Sequence, residues 1–146
     1  MGKVFKIAIS ENYKDKMVGI TSVEAIAKKG LSKDRHFKDN NDEKCQVTLI
    51  ESENIDYYNQ KFNTSIAYND FRRNIITSGI KLNDLVGKDF FIGKVKVKAH
   101  DLCRPCKHLQ QTLKQDNIIK EFLHKGGIRC EILISGKIFV GDIIKI

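Results

Sequence analysis

Short runs of alternating apolar and polar residues, each cut off after a few positions by Gly, Asn or Asp, constrain this chain more than any other feature. A period of two places successive side chains on opposite faces of a strand, so each run has one face to bury and two edges to pair. Strands are predicted near residues 4–9, 19–26, 46–50, 74–77, 90–92, 94–99, 130–134, 137–140 and 143–146. Helical spacing is rarer. Ile55, Tyr58 and Phe62 share one face of a predicted helix over 52–62, where Ser52 can cap the free amides. A second helix is expected over 117–124, with Asp116 as cap, Ile119, Phe122 and Leu123 on its apolar face and Gly126 as its stop. A third, short one follows Cys106 to Leu113. The last three runs, joined by Ser135-Gly136 and Gly141-Asp142, read as a β-meander. Many short strands, few helices and no βαβ alternation imply a mainly β chain with some mixed β/α character, closed or nearly closed into a β-barrel with a few short helices. A two-sheet sandwich is the alternative.

A chain of 146 residues suits one domain over 1–146, able to bury roughly 70% of its unfolded surface. Hydrophobic residues at 41% and charged residues at 30% exclude a disordered or collagen-like chain. No apolar run approaches the ~20 residues of a membrane helix. The first ten residues lack the hydrophobic segment of a secretion signal. A soluble, cytoplasmic protein without membrane association is therefore expected. The net charge of +8 favours anionic partners in general. Most of the basic residues are scattered lysines, and only Lys94, Lys96 and Lys98 cluster, on the face of a strand opposite Val95, Val97 and Ala99. A nucleic-acid reader groups Arg and Lys among aromatics, so nucleic acid is not the expected partner.

Three segments carry chemistry. The first is His100-Asp101-Leu102-Cys103-Arg104-Pro105-Cys106-Lys107-His108. It leaves a strand through a proline turn and enters a helix, which places the Cys106 thiol near helix amides that favour a thiolate, with Arg104 and Lys107 nearby. Such a sulfur can attack, exchange with a disulfide or bind a soft metal. Zinc is a competing ligand for the Cys-x-x-Cys pair, with His100 or His108 as a third donor, but no second Cys or His pair at knuckle spacing exists. A zinc-stabilised nucleic-acid module is thus the less favoured reading. Thioredoxin-like exchange belongs near a βαβ unit. Cys45 and Cys130 lie in strand-like runs, where a small buried hydrophobe is the default role. The second segment, Gly30-Leu31-Ser32-Lys33-Asp34-Arg35-His36-Phe37, sets an acid, a guanidinium and an imidazole on adjacent residues of a polar turn. The third, Phe71-Arg72-Arg73-Asn74-Ile75-Ile76-Thr77, offers an arginine fork beside an amide, a receptor for phosphate or a heterocycle edge.

Taken in order with Gln46-Val47-Thr48-Leu49-Ile50, Leu85-Val86-Gly87 and the closing Gly136-x-Ile138-x-x-Gly141-Asp142, these segments resemble the MOSC family, the domain found at the C-terminus of molybdenum-cofactor sulfurases. The resemblance is clearest over residues 30–146. It implies a β-barrel-like fold holding a molybdopterin-type molybdenum cofactor, with one cysteine as metal ligand or sulfur carrier. The family's cysteine carries over to Cys106, with Cys103 as the alternative. Arg35, Arg72, Arg73, Asn74 and Lys33 then become cofactor-pocket residues, and Asp34 or His36 handles protons. The implied activity is reduction of N-hydroxylated or N-oxide compounds, with electrons from a separate redox partner. The alternative is a non-catalytic carrier of the cofactor, or of sulfur for it, that docks on a molybdoenzyme acceptor. Two departures stand out: Lys33 occupies a position where the family commonly has Gly, and Arg73 one where some relatives have Pro.

Overall fold

Strands form where the alternation predicts them. In the computed structural model, which describes residues 2–146, the strands are β1 (Gly2–Ile9), β2 (Val18–Ile20), β3 (Ser22–Ile26), β4 (Gly30–Leu31), β5 (Val47–Glu51), β6 (Ile75–Ser78), β7 (Asp89–Ile92), β8 (Val95–Leu102), β9 (Ile128–Ile134), β10 (Gly136–Phe139) and β11 (Ile143–Lys145). Seven of them close a mixed barrel in the order β11-β7-β8-β9-β5-β6-β1, and Gly2 opposite Ile144 with Lys3 opposite Ile143 joins the two ends. The barrel thereby excludes the sandwich. β8 shows why the pattern works: Val95, Val97 and Ala99 point inward and are fully buried, while Lys96 and Lys98 point out. With Ile7, Leu49, Ile75, Phe90, Ile92, Ile128 and Ile132 they fill the interior.

Three expectations about strand pairing need correction. The run over 19–26 is two strands: β2 pairs with the far half of β1, whereas β3 joins β10 and β4 in a separate small sheet. The C-terminal meander does not exist, because β9, β10 and β11 never pair with one another. β9 lies between β8 and β5, β10 pairs with β3, and β11 closes the barrel between β7 and β1. Ser135 between β9 and β10 accepts the Ala27 N–H through Oγ and so turns the chain away from the barrel. Finally, there is a βαβ unit. β5 and β6 are parallel and joined by α1 (Ser52–Phe62), since parallel neighbours need a crossover.

That crossover builds a second apolar layer outside the barrel. Ile55 and Tyr58 of α1 meet Ile50 and Ile76 from the barrel wall, Phe71 from a 3-10 turn, Leu109 from α2 (Lys107–Leu113), and Ile118 and Phe122 from α3 (Ile118–Glu121) and its end. Phe71, Tyr58 and Phe122 pack ring against ring, with centroids 4.8 and 5.4 Å apart. Ser52 does not cap α1: it is the first helical residue, and Glu51 precedes it without a side-chain cap. α3 is shorter than expected, follows Asn117 instead of an Asp116 cap, and ends before Gly126 could stop it. Its buried face is Ile118 with Phe122, and Ile119 and Leu123 face outward.

Candidate functional site

Where β8 ends and β9 begins, the Cys103 N–H still donates to the Gly127 carbonyl at 2.8 Å, so the chain stays pinned to the barrel until Pro105 turns it away. Cys106 is then the residue that starts α2, in extended conformation, and the Leu109 N–H donates to its sulfur at 3.4 Å. A helix start leaves several amide donors without intrahelical acceptors, and this sulfur takes one of them. The two thiols of the turn differ sharply. Cys103 is 3% exposed and burial pushes its thiol up, with Arg73 and Arg129 pulling partly the other way. Cys106 is exposed. Cys130 is fully buried and burial raises its thiol well above the ordinary value.

The Asp-Arg-His turn is built around a covered carboxylate. Asp34 Oδ1 accepts the Ser10 N–H at 3.1 Å, and Arg35 Nη1 lies 3.3 Å from the same oxygen. Oδ2 accepts the His36 N–H at 3.3 Å and faces His36 Nδ1 at 3.5 Å. Burial alone would raise this carboxyl. The hydrogen bonds from His36 and Ser10 and the charge of Arg35 outweigh it and hold Asp34 below the usual carboxylate range. Lys33 adopts φ +67°, so the turn keeps the left-handed backbone that a glycine would take, at a cost of about 1–2 kcal/mol borne by a lysine. Its side chain, however, borders a different hollow, with Ile9, Val23 and Lys137.

The Phe-Arg-Arg-Asn segment divides likewise. Arg72 closes the 3-10 turn Tyr68–Phe71 at φ +62° and donates to the carbonyls of Asp15 (3.0 Å) and Tyr13 (3.3 Å). Arg73 donates through Nε to Gly126 O at 2.9 Å and through Nη1 to Phe71 O at 3.3 Å. Asn74 is 2% exposed and faces no cleft. Its Oδ1 accepts from Thr48 N and Oγ1, and its Nδ2 donates to Ala8 O, so it ties β5, β6 and β1 together. As pocket residues, then, Asn74 and Lys33 are corrected: the first is used up inside the barrel wall, and the second lies elsewhere.

Arg35, His36, Arg72, Arg73, Cys103 and Cys106, drawn from three separate stretches of sequence, line one cleft of about 230 Å³. Asp34 sits behind it, fully covered, where it orients His36 and Arg35 and cannot itself meet a ligand. The cleft also recruits residues that sequence reasoning missed: Lys44, Cys45, Thr48, His108 and Arg129. Cys45 is half-buried and faces the cleft, not the core. Arg129 escaped notice because it occupies the outward position of an ordinary alternating strand. Four of the five arginines therefore share one cleft. The fifth, Arg104, pairs with Asp101 at 3.2 Å on the exposed surface. Crowding is felt at Arg35: burial pulls its guanidinium below the ordinary value, Asp34 opposes, and Arg72 and Arg73 add to the depression. The cysteine pair does not assemble with His100 into a metal-ligand group. His100 instead bonds Glu131 at 2.8 Å and lies near Glu43.

A mixed, closed β-barrel with a cationic cleft and an exposed thiol at its mouth is the class of protein that this geometry defines. The MOSC domain profile matches residues 32–145, and the chain belongs to the MOSC domain family. No curated protein matched the sequence. Among solved structures, the YuaD protein from Bacillus subtilis superposes with a TM-score of 0.84 at 16% identity, covering 99% of this chain and 94% of that one. YiiM from Geobacillus stearothermophilus gives 0.81 at 15% identity over 99% and 74% of the two chains. YiiM from Escherichia coli gives 0.70 at 16% identity over 99% and 67%. At such identities the likeness concerns the fold. No helix among the described residues is long and apolar enough to cross a membrane.

Proposed function

We propose that this protein binds a molybdopterin-type molybdenum cofactor in the arginine-walled cleft, with Cys106 as protein ligand to the metal, and reduces N-hydroxylated or N-oxide compounds with electrons from a separate redox partner. The observation that carries this reading is that the exposed Cys106 sulfur opens onto the same cleft as four of the five arginines. The donor set fits the group. Guanidinium forks match phosphate, and a reachable thiol suits a soft metal. At about 230 Å³ the cleft is smaller than the ~300–1,000 Å³ of typical whole-ligand pockets. A neighbouring hollow of about 240 Å³ shares Arg72 as a wall, which gives a larger ligand room to extend.

When bound, the cofactor supplies oxygen-atom and electron transfer at the metal. The chain supplies the rest. The positive charge of Arg35, Arg73 and Arg129 offsets that of the ligand, and Arg72 forms part of the cleft wall. His36, tied to Asp34 through its backbone N–H and with Nδ1 3.5 Å from the carboxylate, has Nε2 left as the nitrogen for proton transfer. Asp34 is thus a positioning residue, and the proton role falls to His36. Four free cysteines suit the reducing cytoplasm.

Exposure of Cys106 also favours a second reading, a carrier that passes the cofactor, or sulfur held as a persulfide, to a molybdoenzyme acceptor. Expression in cells that make the cofactor, followed by metal analysis, tests the shared premise. Stoichiometric molybdenum is expected, lost in Cys106→Ser and retained in Cys103→Ser. Zinc in its place, or loss from Cys103→Ser alone, overturns the assignment. Turnover of a hydroxylamine-type substrate with a strong reductant marks the reductase. Tight cofactor binding without turnover marks the carrier.

A further inference from the structure

We infer that Arg129 is the primary receptor for a phosphate group in this cleft, and that Arg72, despite its place in the family-like Phe-Arg-x-Asn-Ile segment, is a latch for the loop between β1 and β2. This rests on the reading that the cleft takes an anionic ligand.

The four arginines are not equally free. Arg35 is paired with Asp34, reaches Met17 Sδ at 3.0 Å and donates to Arg72 O at 3.4 Å. Arg73 is held by Gly126 O and Phe71 O. Arg72 spends its donors on Asp15 O and Tyr13 O. Tyr13 in turn lies edge-on to His36, with ring centroids 5.5 Å apart, and beneath the Arg35 guanidinium at 5.9 Å. Arg72 therefore ties down the loop over residues 11–17 beside the cleft.

Arg129 differs. Among the described residues it makes no ion pair, and its polar neighbour is the buried Cys103 thiol. Its cross-strand neighbours are Thr48 on β5 and Asp101 on β8. Asp101 would be the obvious partner, but that carboxylate already accepts the Leu102 N–H at 2.8 Å and Arg104 at 3.2 Å. Among the described residues, Arg129 is thus a half-buried guanidinium whose fork meets the Cys103 thiol but no carboxylate or carbonyl, mounted on a central barrel strand. A fork of that kind matches two phosphate oxygens at once. A strand holds it more rigidly than a loop would. Lys44, at the same cleft, adds a second cation, although it lies 3.8 Å from Asp101 Oδ2.

Titration of the cofactor-free protein with inorganic phosphate and with pyrophosphate, followed by isothermal calorimetry and by arginine side-chain NMR signals, tests this. Arg129→Gln is expected to weaken phosphate binding roughly ten- to hundredfold, the usual loss for a charged hydrogen-bond donor. Arg129→Lys recovers part of it. Arg72→Gln is expected to leave phosphate affinity largely intact while accelerating proteolysis and amide exchange within residues 11–17, and Arg104→Gln changes neither. Unchanged melting temperatures show that the variants fold. Equal phosphate affinity in wild type and Arg129→Gln overturns the receptor assignment, and so does a loss in Arg72→Gln that matches that of Arg129→Gln. Absence of phosphate binding by the wild type overturns the anionic-cleft reading, and this inference with it. Molybdenum content of Arg129→Gln made in cofactor-proficient cells identifies the phosphate's source: loss points to the cofactor's own phosphate, and full retention to free phosphate.

Discussion

Asp34 shows how a side chain can serve a site without entering it. Every oxygen of its carboxylate is engaged, and its side chain is fully covered. Removing its charge leaves Arg35 and His36 without their orienting partner, so Asp34→Asn should cost about 1–3 kcal/mol near neutral pH. The pH dependence has a definite sign. The folded carboxyl titrates below its ordinary value, so its stabilisation is complete above the unfolded pKa of about 3.9 and is lost as pH falls through the lower, folded value. Urea unfolding of wild type and Asp34→Asn should therefore differ by a steady amount above pH ~5 and converge only as pH falls from ~4 toward the lower, folded value. A difference that stays constant as pH falls well below ~4 would show that the charge is not what matters. Adjacency of Asp34, Arg35 and His36 was visible in the sequence. That one of the three would be sealed behind the other two was not, because Ser10, which donates to it, lies 24 residues away.

Among the elements, the segment that leads into β6 gives Arg72 and Arg73 to the cleft and Asn74 to the barrel wall. Asn74 bridges β5, β6 and β1 through both ends of its amide. Asn74→Ala should lower stability by about 1–3 kcal/mol, because the buried Thr48 N–H and Ala8 carbonyl lose their side-chain partner. Thermal or urea unfolding of the cofactor-free protein measures this. A variant as stable as wild type would show that the Asn74 amide does not tie these strands together. Strand existence was legible throughout, since two-residue alternation is a local property of the chain. Partner choice was not. The run after Ser135 looked like the middle strand of a meander, yet β10 joins β3, more than a hundred residues earlier in the chain. The helix caps misread at Ser52 and Asp116 are smaller misses of the same kind: the packing of Ile55, Tyr58, Ile118 and Phe122 against the barrel decides where those helices run.

For the whole molecule, closure is the decisive event. β11 lies between β1 and β7, and Ile144, 2% exposed, faces the interior opposite Gly2 and Ile92, whereas Ile143 beside it is 39% exposed. Ile144→Asp puts an unpaired charge at the seam and should cost about 4 kcal/mol or more. Ile143→Asp should cost far less. Circular dichroism melts of the two variants make the comparison, and similar losses would mean that the seam is not where cohesion resides. The sequence by itself determined the strand-rich pattern, the inward faces, the Cys106 turn ahead of a helix and the three polar segments, since each depends on residues close together along the chain. Only the tertiary structure decided that β5 and β6 run parallel, that Cys103 is sealed while Cys106 stays open, and that Arg129 joins Arg35, Arg72 and Arg73. Those outcomes depend on which strands become neighbours, a matter of burying complementary apolar faces across long stretches of chain that no local pattern records.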